Sequence, residues 1–230
     1  MHYDFKMKLN KVDSQKYRNF KPQQIDWILH EAYGIFIKTI AQPRLGSALG
    51  FETNSRTIND IRSLVVENKE VTPVEFNSTS LKAVLPEDYW FLVSSYALGK
   101  KGDCEDVIQT RLVQHDDRHE VSPFDKSSFE WRESNYRFYN EGLRFFTDGT
   151  FTLNKVYLDY IKTPKYIHFA DAVAGGTYKL PSGVVLTGYQ NPEVSPTLHS
   201  EIVDIAVLIT TGTLQIPDYQ VKMAKLNLNN

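Results

Sequence analysis

From Pro22 to Ala41 apolar residues return every third or fourth position. Ile25, Ile28, Leu29, Ala32, Tyr33, Phe36, Ile37 and Ile40 form one stripe, which predicts an amphipathic helix. Pro22 suits the first helical turn, where its missing N–H costs nothing, and Pro43 stops the run. A shorter helix is expected over Ser55–Val65, with Ile58, Ile61, Leu64 and Val65 on one face. The period then changes to two. Leu81, Ala83 and Leu85 alternate with Ser80, Lys82 and Val84, and β-rich runs follow at Tyr89–Leu98 and Val107–His115. Residues 129–161 are aromatic and β-branched, with turn chemistry at Asn140-Glu141-Gly142 and Asp148-Gly149, which predicts a meander of antiparallel strands. A glycine-rich stretch, Asp171–Gly188, reads as an extended loop or an irregular hairpin. Ser195 and Pro196 then open a closing helix, on which Leu198, Ile202, Ile205, Ala206 and Ile209 share a face.

This order predicts an α+β fold, with terminal helices forming a small helical bundle and an antiparallel β-sheet or sandwich-like region between them. The expected divisions are a basic arm at 1–21, a helical bundle from 22–70 and 195–217, and an antiparallel β domain at 71–165. A glycine-rich loop or hairpin at 166–194 and a docking tail at 218–230 complete them.

The chain has 230 residues, 41% of them hydrophobic and 23% charged, which excludes a disordered or collagen-like chain. The single cysteine, Cys104, can form no internal disulfide and no CxxC-type metal site. Synthesis in a reducing cytosol without a secretory leader is expected, since Met1–Asn10 is polar where such a leader is apolar. The apolar run Ile202–Leu208 is interrupted by Asp204 and falls far short of the roughly 20 residues that span a bilayer. No membrane association is expected. Net charge is −2, which argues against a dedicated nucleic-acid binder. Residues 1–21 nevertheless hold six basic residues against two acidic ones.

Candidate chemistry is sparse. His115 and His119 stand four apart, with Asp116 beside the first, so a metal-dependent hydrolase centred on His115, Asp116 and His119 is one alternative. The spacing lacks the glutamate of the HExxH pattern, and the other histidines supply no further ligand set. Cys104 has acidic neighbours, the opposite of the electropositive surroundings that activate a thiolate. No phosphate-binding loop or nucleophile elbow occurs. The expectation is a chain with no catalytic residue, no metal and no cofactor. Its interface residues are expected in the two end segments: Leu9, Val12, Tyr17 and Phe20 in the lead-in, and Tyr219, Val221, Met223 and Leu226 in the tail. Both segments are expected to be mobile in a free subunit and ordered in an assembly.

Four stretches carry a family resemblance: Lys8–Ile40 (KLNKVDSQKYRNFKPQQIDWILHEAYGIFIKTI), Ser55–Val65 (SRTINDIRSLV), Ser80–Leu98 (SLKAVLPEDYWFLVSSYAL) and Ser195–Lys222 (SPTLHSEIVDIAVLITTGTLQIPDYQVK). In these the chain resembles the head–tail connector proteins of short-tailed, crAss-like bacteriophages, the portal adaptors or neck-ring proteins. The resemblance implies a non-enzymatic virion protein that forms a homo-oligomeric ring, usually a dodecamer. The ring would join the portal protein to adjacent neck and tail ring proteins, with double-stranded DNA only as passing cargo in its lumen. It implies a place in the virion neck, after assembly in the bacterial host cytoplasm. The glycine-rich segment 171–188 departs from the smaller adaptors. Another tail, baseplate or receptor-contacting virion component is the nearer alternative.

Overall fold

The computed structural model describes residues 1–10, 20–41, 59–113, 127–140 and 142–213. The fold is α+β, and the chain divides into two compact units. One combines Met1–Leu64 with Pro164–Asn230, and the other is the insertion Val65–Thr163.

The first unit is built on three helices: α1 (His2–Asn10), α2 (Pro22–Ala41) and α3 (His199–Thr213). The expected pairing of the long terminal helices is present, since α2 and α3 pack against each other and α1 lies on both. The apolar stripe of α2 is buried from Ile25 to Ile37, and Ile202, Val203, Ala206 and Val207 bury the facing side of α3. Ile205, expected on the buried face, is only half-buried. At the start of α2 the Lys21 N–H donates to Gln24 Oε1 at 3.0 Å, which satisfies one orphan donor of the first turn. Residues 59–64 form a helical turn that buries Ile61 and Leu64.

Over residues 2–10 the expectation of a mobile arm is corrected; residues 11–19 lie outside the described residues. His2–Asn10 is helical, with Phe5 and Leu9 buried in the unit's own core, and Lys8 Nζ donates to Asp204 Oδ1 at 2.7 Å and to the Ser200 carbonyl at 3.3 Å on α3. Two apolar residues four apart suffice to seat a short helix on a bundle, although they are too few to register as a period.

The inserted unit is an eight-stranded sheet: β1 (Val65–Val71), β2 (Val74–Asn77), β3 (Ser80–Val84), β4 (Tyr89–Lys101), β5 (Cys104–Leu112), β6 (Glu133–Tyr139), β7 (Gly142–Phe146) and β8 (Thr152–Lys162). The spatial order is β1-β8-β4-β5-β6-β7-β3-β2. Every pairing is antiparallel except β5–β6, which is parallel. Two expectations are corrected here. The helix expected to reach Val65 stops one residue earlier, and β1 and β2 occupy a stretch with no clear alternation. The strands β5 and β6 also run in the same direction, joined by a long crossover.

The order of strands determines the shape of this unit. The two sheet ends, β1 and β2, are consecutive in the chain and separated only by Thr72-Pro73. Three residue steps reach at most about 11 Å. Eight strands laid flat at about 4.8 Å would put those ends about 34 Å apart. The sheet therefore curls into a barrel, closed by one segment that kinks at Pro73 and pairs with β8 before the kink and β3 after it. Proline fits that corner because it has no N–H to leave unpaired.

Alternate residues from six of the eight strands fill the interior: Leu81, Ala83, Ala97, Ile108, Tyr136, Leu143, Phe145, Val156, Leu158 and Tyr160. Gly99 is the concession to this filling, because a Cβ there would stand 2.6 Å from Ile108 Cγ1. A Cβ at Gly142 would collide with the backbone carbonyl of Ala83 on β3. The Tyr160 hydroxyl donates to Asp88 Oδ1 at 2.7 Å, and burial with this carboxylate pushes its pKa up to about 12. Of the expected turns, Asn140 holds φ +43 and Gly149 φ +82, while the Asp148 carboxylate accepts from the Thr150 N–H at 2.7 Å.

Candidate functional site

Asp26 is the one charged side chain within the buried stripe of α2, and it is fully enclosed. A carboxylate in such a place needs donors for its oxygens. Four hydrogen bonds from three groups supply them. His2 Nε2 lies 2.6 Å from Oδ1, the Phe169 N–H donates to both oxygens at 3.1 Å, and the Tyr178 hydroxyl donates to Oδ2 at 2.7 Å. His2 begins α1. Phe169 belongs to β9 (His168–Phe169), and Tyr178 to β10 (Thr177–Lys179), which forms the hairpin of the glycine-rich segment with β11 (Val185–Thr187). Burial, reinforced by the Asp26 charge, raises the Tyr178 pKa above the usual phenol range, so this hydroxyl stays a donor. One carboxylate thus fastens α1, α2 and both parts of the loop region.

Beside this fastening lies a cleft of about 400 Å³, lined by His2, Tyr3, His168, Phe169, Tyr189 and Gln190 among others. Tyr189 and Gln190 form β12, which pairs with β9. The His2 ring meets Phe169 edge-on at 5.5 Å. His168 holds both ring nitrogens 3.2 Å from carbonyl oxygens, of Tyr166 and of Thr187. An imidazole on a buried carboxylate can position a general base. Here the same carboxylate is also taken by a backbone amide and a tyrosine, and its geometry is that of a structural acceptor.

Two half-buried histidines make the helical unit sensitive to acid. Burial holds the imidazoles of His30 and His199 below the ordinary histidine range. The His30 ring lies tilted against Tyr166, with centroids 4.5 Å apart, and its Nδ1 is buried without a partner among the described residues. The unfolded chain, with ordinary histidines near about 6.5, therefore takes up protons first. The stability these groups contribute is fully present above that value and is lost as pH falls through their lower folded values. The midpoint of denaturant unfolding should fall between pH 7 and pH 5 at constant ionic strength. In His30→Phe part of that slope should disappear, and an unchanged slope would remove His30 from the explanation.

The barrel carries a different constellation on the strand face opposite its interior, where Arg144 is buried and Lys82 and Arg137 are half-buried. In the strand register Lys82 stands opposite Arg144, and Arg144 opposite Arg137, so three cations form one row across β3, β7 and β6. Like charges placed directly across strands repel. Aromatic faces and one hydroxyl contribute to relieving this. The Arg144 guanidinium lies 4.3 Å from the Phe76 ring centroid and donates to Ser80 Oγ through Nε at 3.1 Å and Nη2 at 3.0 Å. Arg137 lies over Phe146 at 5.3 Å and Lys82 over Tyr139 at 6.0 Å. Arg137 Nε is buried and has no hydrogen-bond partner.

Among the expected interface residues, Leu9 lies in the core and Phe20 is half-buried, with its ring edge-on to Phe5 at 6.1 Å. Val12, Tyr17, Tyr219, Val221, Met223 and Leu226 lie outside the described residues, as do His115, Asp116 and His119. Sequence reasoning passed over Asp26, although a signal was present: a lone carboxylate in line with Leu29 and Tyr33, three and seven residues on. The cation row left no such signal, because it depends on which residues of three strands fall opposite one another.

No protein-family model matches this chain, and no curated protein matches it.

Proposed function

We propose that this chain is a structural subunit of a bacteriophage particle, without catalysis, which forms an oligomeric ring in the neck between portal and tail. The proposal begins from the four stretches that resemble portal adaptors. The observation that supports assembly most directly is the set of large aromatics left in solvent. Trp131 is 80% exposed, Tyr3 73%, Tyr189 67% and Trp27 60%, and they are shared between the two units. Tryptophan and tyrosine concentrate where protein surfaces meet, since each buries a large area with few rotatable bonds. A barrel inserted into a helical unit also suits a ring subunit, which must present two different faces to its neighbours.

Native mass spectrometry of the purified chain provides the test. One dominant species at a fixed multiple of the subunit mass is expected at high concentration. Trp131→Ala should shift the distribution toward monomer while leaving the circular dichroism spectrum unchanged. A native chain that stays monomeric at every concentration contradicts the proposal.

A further inference from the structure

We infer that Trp131 of one copy of this chain inserts into the cleft beside Asp26 of a second copy, between Tyr3, Phe169 and Tyr189. The inference rests on the ring proposed above and specifies one of its interfaces.

Trp131 stands in a turn that is fixed from both ends. The Ser128 N–H donates to the Glu133 carbonyl at 2.9 Å, and the Glu133 N–H donates back to the Ser128 carbonyl at 3.1 Å. Between them the Arg132 N–H donates to the Phe129 carbonyl at 3.2 Å, and Arg132 takes φ +55. The Phe129 ring packs on Phe151 of the barrel interior at 5.9 Å, and Arg132 Nη2 lies 2.8 Å from Asp106 Oδ2. A non-glycine residue stays in the left-handed region only where its surroundings hold it there. All this fixes the backbone on either side of an indole that is itself 80% exposed. A side chain presented from a fixed backbone has less freedom to lose when a partner buries it.

The cleft, of about 400 Å³, offers a matching recess. Leu29 and Ile167 are buried parts of its lining, and Tyr3, Phe169 and Tyr189 are exposed around it. A tryptophan buries about 150–250 Å² and packs best against offset or edge-on aromatic rings. Its N–H needs an acceptor once water is excluded. Gln190 supplies one, since its Nε2 donates to the Asn191 carbonyl at 2.8 Å and leaves Oε1 to accept.

Charge agrees at the edge of the contact. Glu130, next to Trp131, has its side chain 80% exposed and approaches Lys101 only to 3.9 Å. Lys6 lies one turn along α1 from Tyr3, on the same side of the helix. It is exposed and has no ion pair among the described residues. Thus an anion flanks the indole and a cation flanks the cleft.

The contact joins two copies, because an indole this exposed does not fill the cleft of its own chain. Trp131 belongs to the barrel unit and the cleft to the helical unit, so every copy carries both halves. Such a contact is heterologous, and its repetition closes a ring when the rotation between neighbours divides a full turn.

Sedimentation equilibrium of Trp131→Ala, Tyr189→Ala and the double variant tests the pairing. Each single substitution should weaken self-association about tenfold or more. The double variant should be little weaker than either, because both remove the same contact. The two side chains are exposed in the subunit, so an unchanged circular dichroism spectrum is expected for all three variants. A photo-cross-linker locates the contact independently. With Tyr189 replaced by p-benzoylphenylalanine, and isotope-labelled chains mixed with unlabelled ones, cross-links should run to the Trp131 peptide of the other chain. Losses that add fully, rings that persist in the double variant, or cross-links to another surface overturn this contact and leave the ring itself standing. Cross-links to residues 214–230 assign the cleft to the tail and likewise overturn the inference. A native chain that never associates overturns both.

Discussion

Asp26→Ala is expected to cost about 3–5 kcal/mol of folding stability, the largest effect of any polar substitution in the helical unit. The carboxylate is fully buried, and its removal strips the acceptor from three groups at once: His2, the Phe169 amide and the Tyr178 hydroxyl. A buried donor left without an acceptor costs about 1–3 kcal/mol. Tyr178→Phe removes only one of the three bonds and should cost about 1–1.5 kcal/mol. Denaturant unfolding measures both, and hydrogen exchange locates the damage. The amides of α1 and of the β9–β12 pair should lose protection in Asp26→Ala, since His2 of α1 and Phe169 of β9 are hydrogen-bonded to α2 through this carboxylate. A loss below about 1 kcal/mol would mean that water replaces the missing acceptor, and the fastening role would be withdrawn.

Phe145→Ala should be of similar size, about 3–5 kcal/mol, for a different reason. Its ring is fully buried in the barrel interior, packs on Tyr136 at a centroid distance of 5.6 Å, and sits in the register between Leu81 and Tyr136 on the flanking strands. A closed barrel has little freedom to collapse onto a void, so the cavity should persist and its cost should be near the top of the range for large-to-small changes. The measurement is again the unfolding midpoint, read with the denaturant slope. A slope unchanged from the native chain is expected. Phe145→Leu, which restores most of the volume, should recover the greater part of the loss.

The parts of the fold legible in the sequence were those with one dominant period. The stripe of α2 and the alternation of Leu81 and Ala83 each bury one face, so each leaves a pattern. Turns were legible for a similar reason: Asn140 and Gly149 take the positive φ that their residue types favour. What remained hidden depended on partners distant in the chain. In β1 the register slips between Val66 and Lys69, where Asn68 takes φ +52 and its N–H donates to Asp159 Oδ1 at 2.7 Å, and the slip breaks the alternation. β2 is exposed along its whole length and so shows no buried face. Closure of the barrel appears only once the pairing order is known.

The same distinction holds for the candidate sites. Leu9 is expected at an interface because Met1–Phe20 shows no usable period, so its apolar residues are assigned to docking contacts. In the fold it belongs to α1, where Phe5 and Leu9 face α2 and α3 together. Asp26 could have been picked out as a lone charge on an apolar face. The cation row could not, since nothing in the sequence shows that Lys82, Arg137 and the buried Arg144 fall opposite one another until three strands are aligned.

Electron micrographs of the concentrated chain, averaged without imposed symmetry, test the ring most directly. The expected result is a closed ring with one rotational order, whose subunits each show a barrel lobe and a helical lobe and whose centre is open widely enough for duplex DNA. Isolated monomers, two-fold dimers or open filaments with no closed ring among them would contradict the account.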